Sequence, residues 1–274
     1  MKISCVVPTH NRPELVCEAV KSLIDEPIEH LEIIVVDDGS ISENFQKVKE
    51  NIGDKVCLLR NETPMGANAA RNRGILAATG DFITFLDDDD LNFPGRIKGQ
   101  LELARHHDAD FVTCTKFIYE TCYGTRIKGM ARDQISLQDM WWRNVIVSVT
   151  PLVEINLIKD VMFDTSLPCA QDYDAWVRCL NQCRKAVNYS GIAIRYRRMG
   201  GVTITGDRIK KFRGRMAIYR KHSQAMPPFI KLYFLFVTIA KYVVPDPKFV
   251  WYSLSDRFLL KLRAAGRSTF SRGK

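Results

Sequence analysis

An α/β fold, with a mostly parallel, Rossmann-like sheet flanked by helices, is the class this sequence predicts, and three observations predict it. Short β-branched runs alternate with amphipathic stretches through the first 115 residues, the order that lays strands side by side and helices on both faces. Each run is apolar throughout and breaks off in polar residues, as strands buried on both faces do. With 46% hydrophobic and 26% charged residues among 274, the chain can bury a large core, which excludes disordered and collagen-like classes.

The elements follow in order. Residues 3–7 (Ile-Ser-Cys-Val-Val) read as the first strand. Pro13 sits where a first helical turn tolerates it, and Leu15, Val16, Ala19, Val20, Leu23 and Ile24 recur at helical spacing. A strand over 32–36 completes the first β-α-β unit. A polar helix over 42–51, strand 56–59, helix 67–78, strand 82–86, helix 94–106 and strand 111–114 continue the alternation. Beyond Lys116 the pattern loosens into a hairpin at 123–128, a Trp141-Trp142 pair, and a loop entering a helix over 168–182. Trp141, Trp142 and Tyr173 are either stacking surfaces or core. From Phe229 the chain becomes aromatic, aliphatic and basic, so the reading divides it into a domain over 1–226, with halves 1–115 and 116–226, and a basic amphipathic helical tail over 227–274.

Charge separates the two ends. The net charge is +9, but 19 basic and three acidic residues lie from Ala193 onward, leaving the preceding part acidic. A basic end points to phosphate-rich company: nucleic acid, an anionic membrane or a diphosphate. No RNA-binding or helix-turn-helix signature accompanies it, so nucleic acid is not expected. Basic residues from Arg208 to Lys221 beside the aromatic run 229–237 instead favour peripheral contact with an anionic membrane. The eight cysteines include no Cys-x-x-Cys pair and read as reduced thiols. No basic n-region or cleavage site follows Met1, and the longest uncharged apolar run, 232–240, is far shorter than the roughly 20 residues of a spanning helix. The expected location is therefore cytoplasmic, peripheral at the inner face of the cell membrane.

Ligands of open α/β sheets bind at strand carboxyl ends, and three such ends are unusual here. They read Val6-Val7-Pro8-Thr9-His10-Asn11-Arg12, Val35-Val36-Asp37-Asp38-Gly39-Ser40 and Thr84-Phe85-Leu86-Asp87-Asp88-Asp89-Asp90. Four adjacent aspartates after a buried strand repel one another unless a cation or solvent offsets them. Their oxygens suit Mn²⁺ or Mg²⁺, which complete their shells with water and substrate phosphate. The Asp-Asp-Gly-Ser turn reads equally as a helix N-cap, and Arg71 and Arg73 read either as surface charge or as phosphate neighbours.

With Gly66-Ala67-Asn68-Ala69-Ala70-Arg71-Asn72-Arg73-Gly74 and Gln171-Asp172-Tyr173-Asp174-Ala175-Trp176 added, five motifs stand in one order over residues 2–198. In this the chain resembles the family 2 glycosyltransferases of GT-A fold, of the kind that build bacterial surface polysaccharides. The resemblance implies inverting transfer from a nucleoside-diphosphate sugar donor to a lipid-linked or oligosaccharide acceptor. It implies that Pro8, Thr9, His10, Asp38, Arg71 and Asp88 bind the nucleotide, that Asp87 and Asp89 bind the metal, and that Asp172 is the general base. The family often has Glu before that base, where this chain has Gln171, and the Gln-x-x-Arg-Trp signature of processive synthases is absent. Transfer of a single hexose is therefore expected. Two other classes use similar parts: a sugar-phosphate nucleotidyltransferase, and a catalytically silent nucleotide-sugar-binding protein. A Rossmann dehydrogenase is disfavoured because no Gly-x-Gly-x-x-Gly follows the first strand.

Overall fold

Strand β1 (Ile3–Thr9) is buried along its whole length and organises the N-terminal half. It pairs in parallel with β2 (Leu31–Asp38) on one side and β4 (Phe82–Phe85) on the other, and β3 (Val56–Asn61) adds in parallel to β2. Between them run α1 (Pro13–Ile24), α2 (Ser42–Asn51) and α3 (Ala67–Ala77). Pro13 opens α1 as expected, and Val16, Ala19, Val20 and Leu23 bury its apolar face. The computed structural model describes residues 1–121, 124–129, 134–147, 149–197 and 208–242.

Beyond β4 the sheet becomes mixed. Short β5 (Asp90–Asn92) leads into α4 (Arg96–His107), followed by β6 (Phe111–Thr121) and β7 (Gly124–Gly129), the expected hairpin. Then come α5 (Leu137–Trp142), β8 (Leu152–Glu154), α6 (Ile155–Val161), α7 (Gln171–Gln182) and β9 (Ala186–Arg197). The strand order is β3-β2-β1-β4-β8-β6-β9-β5, with β7 on β6. β8 runs antiparallel to both β4 and β6, β6 and β9 are parallel, and β5 is antiparallel to β9. That last pairing sets the end of the aspartate run beside the end of β9.

The chain forms two compact units, Met1–Val202 and Thr203–Lys274. The break precedes α8 (Arg208–His222), whereas the boundary read from the sequence lies after it, ahead of α9 (Pro228–Tyr242). Within the first unit, Trp176 is fully buried among Phe85, Phe111 and Phe163, with ring centroids 5.7–6.3 Å apart. Trp141 and Tyr173 are also buried, and the Tyr173 hydroxyl donates to the Met140 carbonyl at 2.7 Å. Both are core. Cys5, Cys17, Cys57, Cys114, Cys179 and Cys183 are free thiols, and burial pushes Cys5 up to about 12, which keeps it protonated.

Two contacts in this half give measurable expectations. Gly74 lets α3 lie directly on β1, since a Cβ there would stand 2.4 Å from Val6 Cγ1. Gly74→Ala should cost on the order of 1–3 kcal/mol through overpacking, seen as a lower denaturant midpoint. Glu32 accepts hydrogen bonds from the Lys2 ammonium at 2.8 Å, the Ser4 hydroxyl, and the Thr79 hydroxyl and N–H, tying β1 and β2 to the turn before β4. Partial burial would raise its pKa, but these donors together lower it from 4.5 to about 2. A depressed carboxylate stabilises the fold above its unfolded pKa and loses that contribution as pH falls through the folded one. Stability should therefore decline between about pH 4.5 and about pH 2, and Glu32→Gln should flatten that part of the curve in acid-unfolding measurements.

Candidate active site

β1, β2 and β4 run parallel, so their carboxyl ends open on the same edge of the sheet, and the residues leaving them form two linked clusters. The first joins β1 to the aspartate run. Thr9 donates its hydroxyl to Asp88 at 2.8 Å, and Arg12 Nη1 donates to Asp88 at 3.1 Å and to Asp89 at 3.3 Å. Asp88 is buried, and burial pushes its carboxyl up to about 6 against the opposing pull of Thr9 and Arg12.

Carboxylate oxygens of Asp87, Asp89 and Asp90 lie within 4.8 Å of one another. Burial, with repulsion from Asp87 and Asp89, pushes Asp90 up to about 9, so added positive charge would favour its ionised form. Three hard oxygen donors at this spacing fit a divalent ion such as Mn²⁺ or Mg²⁺. Arg197, at the end of β9, closes the cluster from behind. Its N–H donates to Asp90 at 3.3 Å, and its Nε donates to the Asp89 carbonyl at 3.0 Å, while Nη1 pairs with Glu18.

The second cluster surrounds the end of β2. Asp38 is buried, and its carboxylate accepts from Asn61 Nδ2 at 2.7 Å, Met65 N–H at 3.0 Å and Gly66 N–H at 2.6 Å. It thereby fixes the approach to α3. Gly39 makes this approach possible: its φ is +69°, and a Cβ would stand 2.6 Å from the Pro64 nitrogen. His10 Nδ1 lies 2.8 Å from the Asp38 carbonyl and must donate to it. Its Nε2 then accepts from Asn11 Nδ2 at 3.0 Å, an amide orientation set by Ile41 N–H donating to Asn11 Oδ1 at 2.9 Å. Pro8 is buried within β1 in register with Val36, so the residues that follow it carry the polar contacts. Thr9 belongs to the first cluster and His10 to the second, which makes the β1 exit their link.

Arg71 and α7 complete the arrangement. The Arg71 guanidinium pairs with Asp87, donates to Asn68 Oδ1 at 2.8 Å, and stands 5.6 Å from the Phe163 ring centroid. Asp172 is the second residue of α7, whose N-cap is Ala170 at φ 62°, a left-handed conformation uncommon for a residue with a Cβ. Asp172 thus lies inside the first turn of α7 and is not its cap. Burial raises the Asp172 pKa, the Tyr173 N–H and the Arg71 charge lower it, and Asp87 raises it. Asp172, Arg71 and Asp87 thus act on one another although they come from three motifs. Asp174 instead pairs with Arg178 at 2.7 Å and is fully buried, which makes it structural. Gln171 donates its side-chain amide to the Leu167 carbonyl at 2.7 Å, a bond an ionised Glu could not make.

Sequence reasoning did not assign Arg12, Asp90 or Arg197. Arg12 and Asp90 stand inside the strand-end motifs Val6–Arg12 and Thr84–Asp90 and were legible there. Arg197 has no local motif; only the antiparallel β5–β9 pairing brings it to the aspartates. Buried Nε of Arg71 and Nη2 of Arg197 have no hydrogen-bond acceptor among the described residues, leaving cationic donors on either side of the carboxylates.

Similarity to known proteins bears on the family and the fold. The family model described as glycosyl transferase family 2 matches residues 4–153. The chain is 30% identical over 264 residues to a protein of Escherichia coli K12 assigned by name to colanic acid biosynthesis as glycosyl transferase WcaA, covering 92% of this chain and 91% of that protein. It is 37% identical over 107 residues to the GalNAc(5)-diNAcBac-PP-undecaprenol beta-1,3-glucosyltransferase of Campylobacter jejuni, covering 38% of this chain and 34% of that one. The crystal structure of S. aureus TarS 1–349 in complex with UDP-GlcNAc superposes with a TM-score of 0.68 at 20% identity, over 89% of this chain and 72% of that one. That likeness is one of fold, and the fold is GT-A. A family match over more than half the chain, joined to a relative this similar along nearly all of it, means that the chain belongs to glycosyl transferase family 2.

Proposed function

We propose that this glycosyltransferase transfers a single hexose, with inversion, from a nucleoside-diphosphate sugar to a lipid-linked or surface-glycan precursor such as an O-antigen, capsule or lipopolysaccharide intermediate. The observation that carries the reading is the cluster of Asp87, Asp89 and Asp90 at the strand end, with Arg71 paired to Asp87 and both charges acting on Asp172 at the start of α7. UDP-Glc, UDP-Gal or an N-acetyl derivative is the favoured donor class, in keeping with the UDP-GlcNAc held by TarS. The undecaprenol-linked acceptor named for the Campylobacter relative supports a lipid-linked acceptor.

Each residue then has a task. Thr9, His10, Asp38, Arg71 and Asp88, with the turn after Pro8, form the nucleotide site. Asp38 does so by holding the turn at Met65 and Gly66 as well as by direct contact. Asp89, with Asp87 and Asp90 beside it, would hold Mn²⁺ or Mg²⁺, which when bound supplies positive charge to the departing diphosphate. Arg71 and Arg197 add their own charge and unspent donors next to the carboxylates. Asp172 takes the proton of the acceptor hydroxyl as the new bond forms, and its raised pKa makes it a stronger base than an exposed carboxylate.

Gln171 does not weigh toward a silent binder, since its amide is used to hold the loop before α7. Incubation with a panel of nucleotide sugars and a lipid-linked acceptor separates the readings by product. Transfer releases a nucleoside diphosphate, nucleotidyl transfer releases pyrophosphate, and a silent protein releases neither. Asp38→Ala should weaken UDP binding by calorimetry, roughly tenfold for the loss of hydrogen bonds to a charged group; unchanged affinity would remove Asp38 from the site.

A further inference from the structure

The second unit contains a feature the transfer chemistry does not use. α9 packs its inner face on α8: Ile230, Phe234 and Thr238 are buried, the Tyr219 and Phe234 rings lie 6.1 Å apart, and the Arg215 guanidinium sits 4.1 Å from the Phe234 centroid. Arg215 Nε also donates to Thr238 Oγ1 at 3.0 Å. The outer face is as apolar as the inner one. Phe229, Leu232, Phe236 and Ile239 are 48%, 72%, 55% and 49% exposed, and their spacing of three, four and three residues puts them on one helical stripe. Leaving such a stripe in water is costly, so it marks a contact surface.

Charge identifies the partner. From Arg208 to Tyr242 the chain has nine Lys or Arg residues and no Asp or Glu. A second copy of the hairpin brought against this face would add like charge to like charge, whereas an anionic surface would neutralise it. The 15 described residues of α9 span about 22 Å, short of the roughly 30 Å hydrocarbon core. No helix among the described residues is long and apolar enough to cross a membrane.

We propose that α8 and α9 form a docking hairpin for an anionic membrane, with α9 lying in the interface, its outer stripe among the acyl chains and the α8 cations on lipid phosphates. This goes beyond the membrane contact expected from the sequence by assigning the inserted face to α9 and the phosphate contacts to α8. It would keep the enzyme where a lipid-linked acceptor resides, but it stands without that acceptor.

The test uses the full chain and vesicles of phosphatidylcholine, with or without phosphatidylglycerol, in the absence of donor and acceptor. Sedimentation should show binding to the anionic vesicles that weakens with salt. The double variant Leu232→Glu, Phe236→Glu should lower that partition roughly tenfold or more, as loss of the buried apolar face implies. Circular dichroism shows whether the variant keeps its helices. Lys210→Glu, Arg213→Glu, Arg220→Glu, on α8 alone, should weaken binding and flatten its salt dependence even if the α9 variant misfolds. Equal binding to neutral and anionic vesicles, or undiminished binding by both variants, would overturn the proposal. So would a dimer in solution that the α9 variant dissolves, because the stripe would then be covered by a second copy. Nucleoside-diphosphate release on a water-soluble acceptor is read separately, so failure here leaves the transfer reading intact.

Discussion

Asp172→Asn should lower sugar transfer by about 10² or more, the usual cost of losing a general base, while donor binding stays near the wild-type value. The substitution keeps the shape of the side chain and removes its proton affinity, so any loss of rate reports on proton transfer. The position argues for this separation. Asp172 is in the first turn of α7, held by helix packing around Trp176, and the nucleotide residues lie at the ends of β1 and β2, after β4 and on α3. Burial and the Asp87 charge raise its pKa while Arg71 restrains the rise, so the neutral Asn should disturb local packing little. Calorimetry of UDP with the variant gives the binding half, and initial rates of nucleoside-diphosphate release give the other. A variant that transfers at the normal rate would remove Asp172 from the mechanism.

Asp89→Ala should abolish divalent-metal-dependent turnover, and removal of the metal with a chelator should do the same to the wild-type protein. Asp89 stands between Arg12, which donates to it at 3.3 Å, and the other carboxylates of the group. Without it only Asp87 and Asp90 remain, one already paired with Arg71 and the other pushed up to about 9 by burial and repulsion. Repulsion within the run should ease at the same time, so thermal stability should hold or rise slightly even as activity disappears. Full activity in the variant, at metal concentrations that saturate the wild type, would contradict the assignment.

The first half of the fold was legible because its signals are local. Buried strands with polar ends, Pro13 opening α1 and the helical repeat from Leu15 to Ile24 each depend on residues near one another in the chain. α2 (Ser42–Asn51) appears with the bounds its sequence predicts. The second half is organised by pairings that no short window records. β8 is only three residues long and antiparallel to both neighbours, and β9 meets β6 and β5 from a distant part of the chain. The same distinction holds at the site. Thr9, Asp38 and Asp88 announced themselves as strand ends, whereas Arg197 became visible only through the β5–β9 pairing. Asp38 shows a further limit: its type and place were readable, but not that three protein donors already hold its carboxylate.

The most direct test of the central claim is the anomeric configuration of the product, measured by NMR after reaction with an α-linked nucleotide sugar. Direct displacement assisted by one carboxylate, Asp172, inverts the reacting centre, so the account predicts a β linkage. An α linkage would mean either two successive displacements or a different attacking geometry, and would contradict the mechanism assigned to this site.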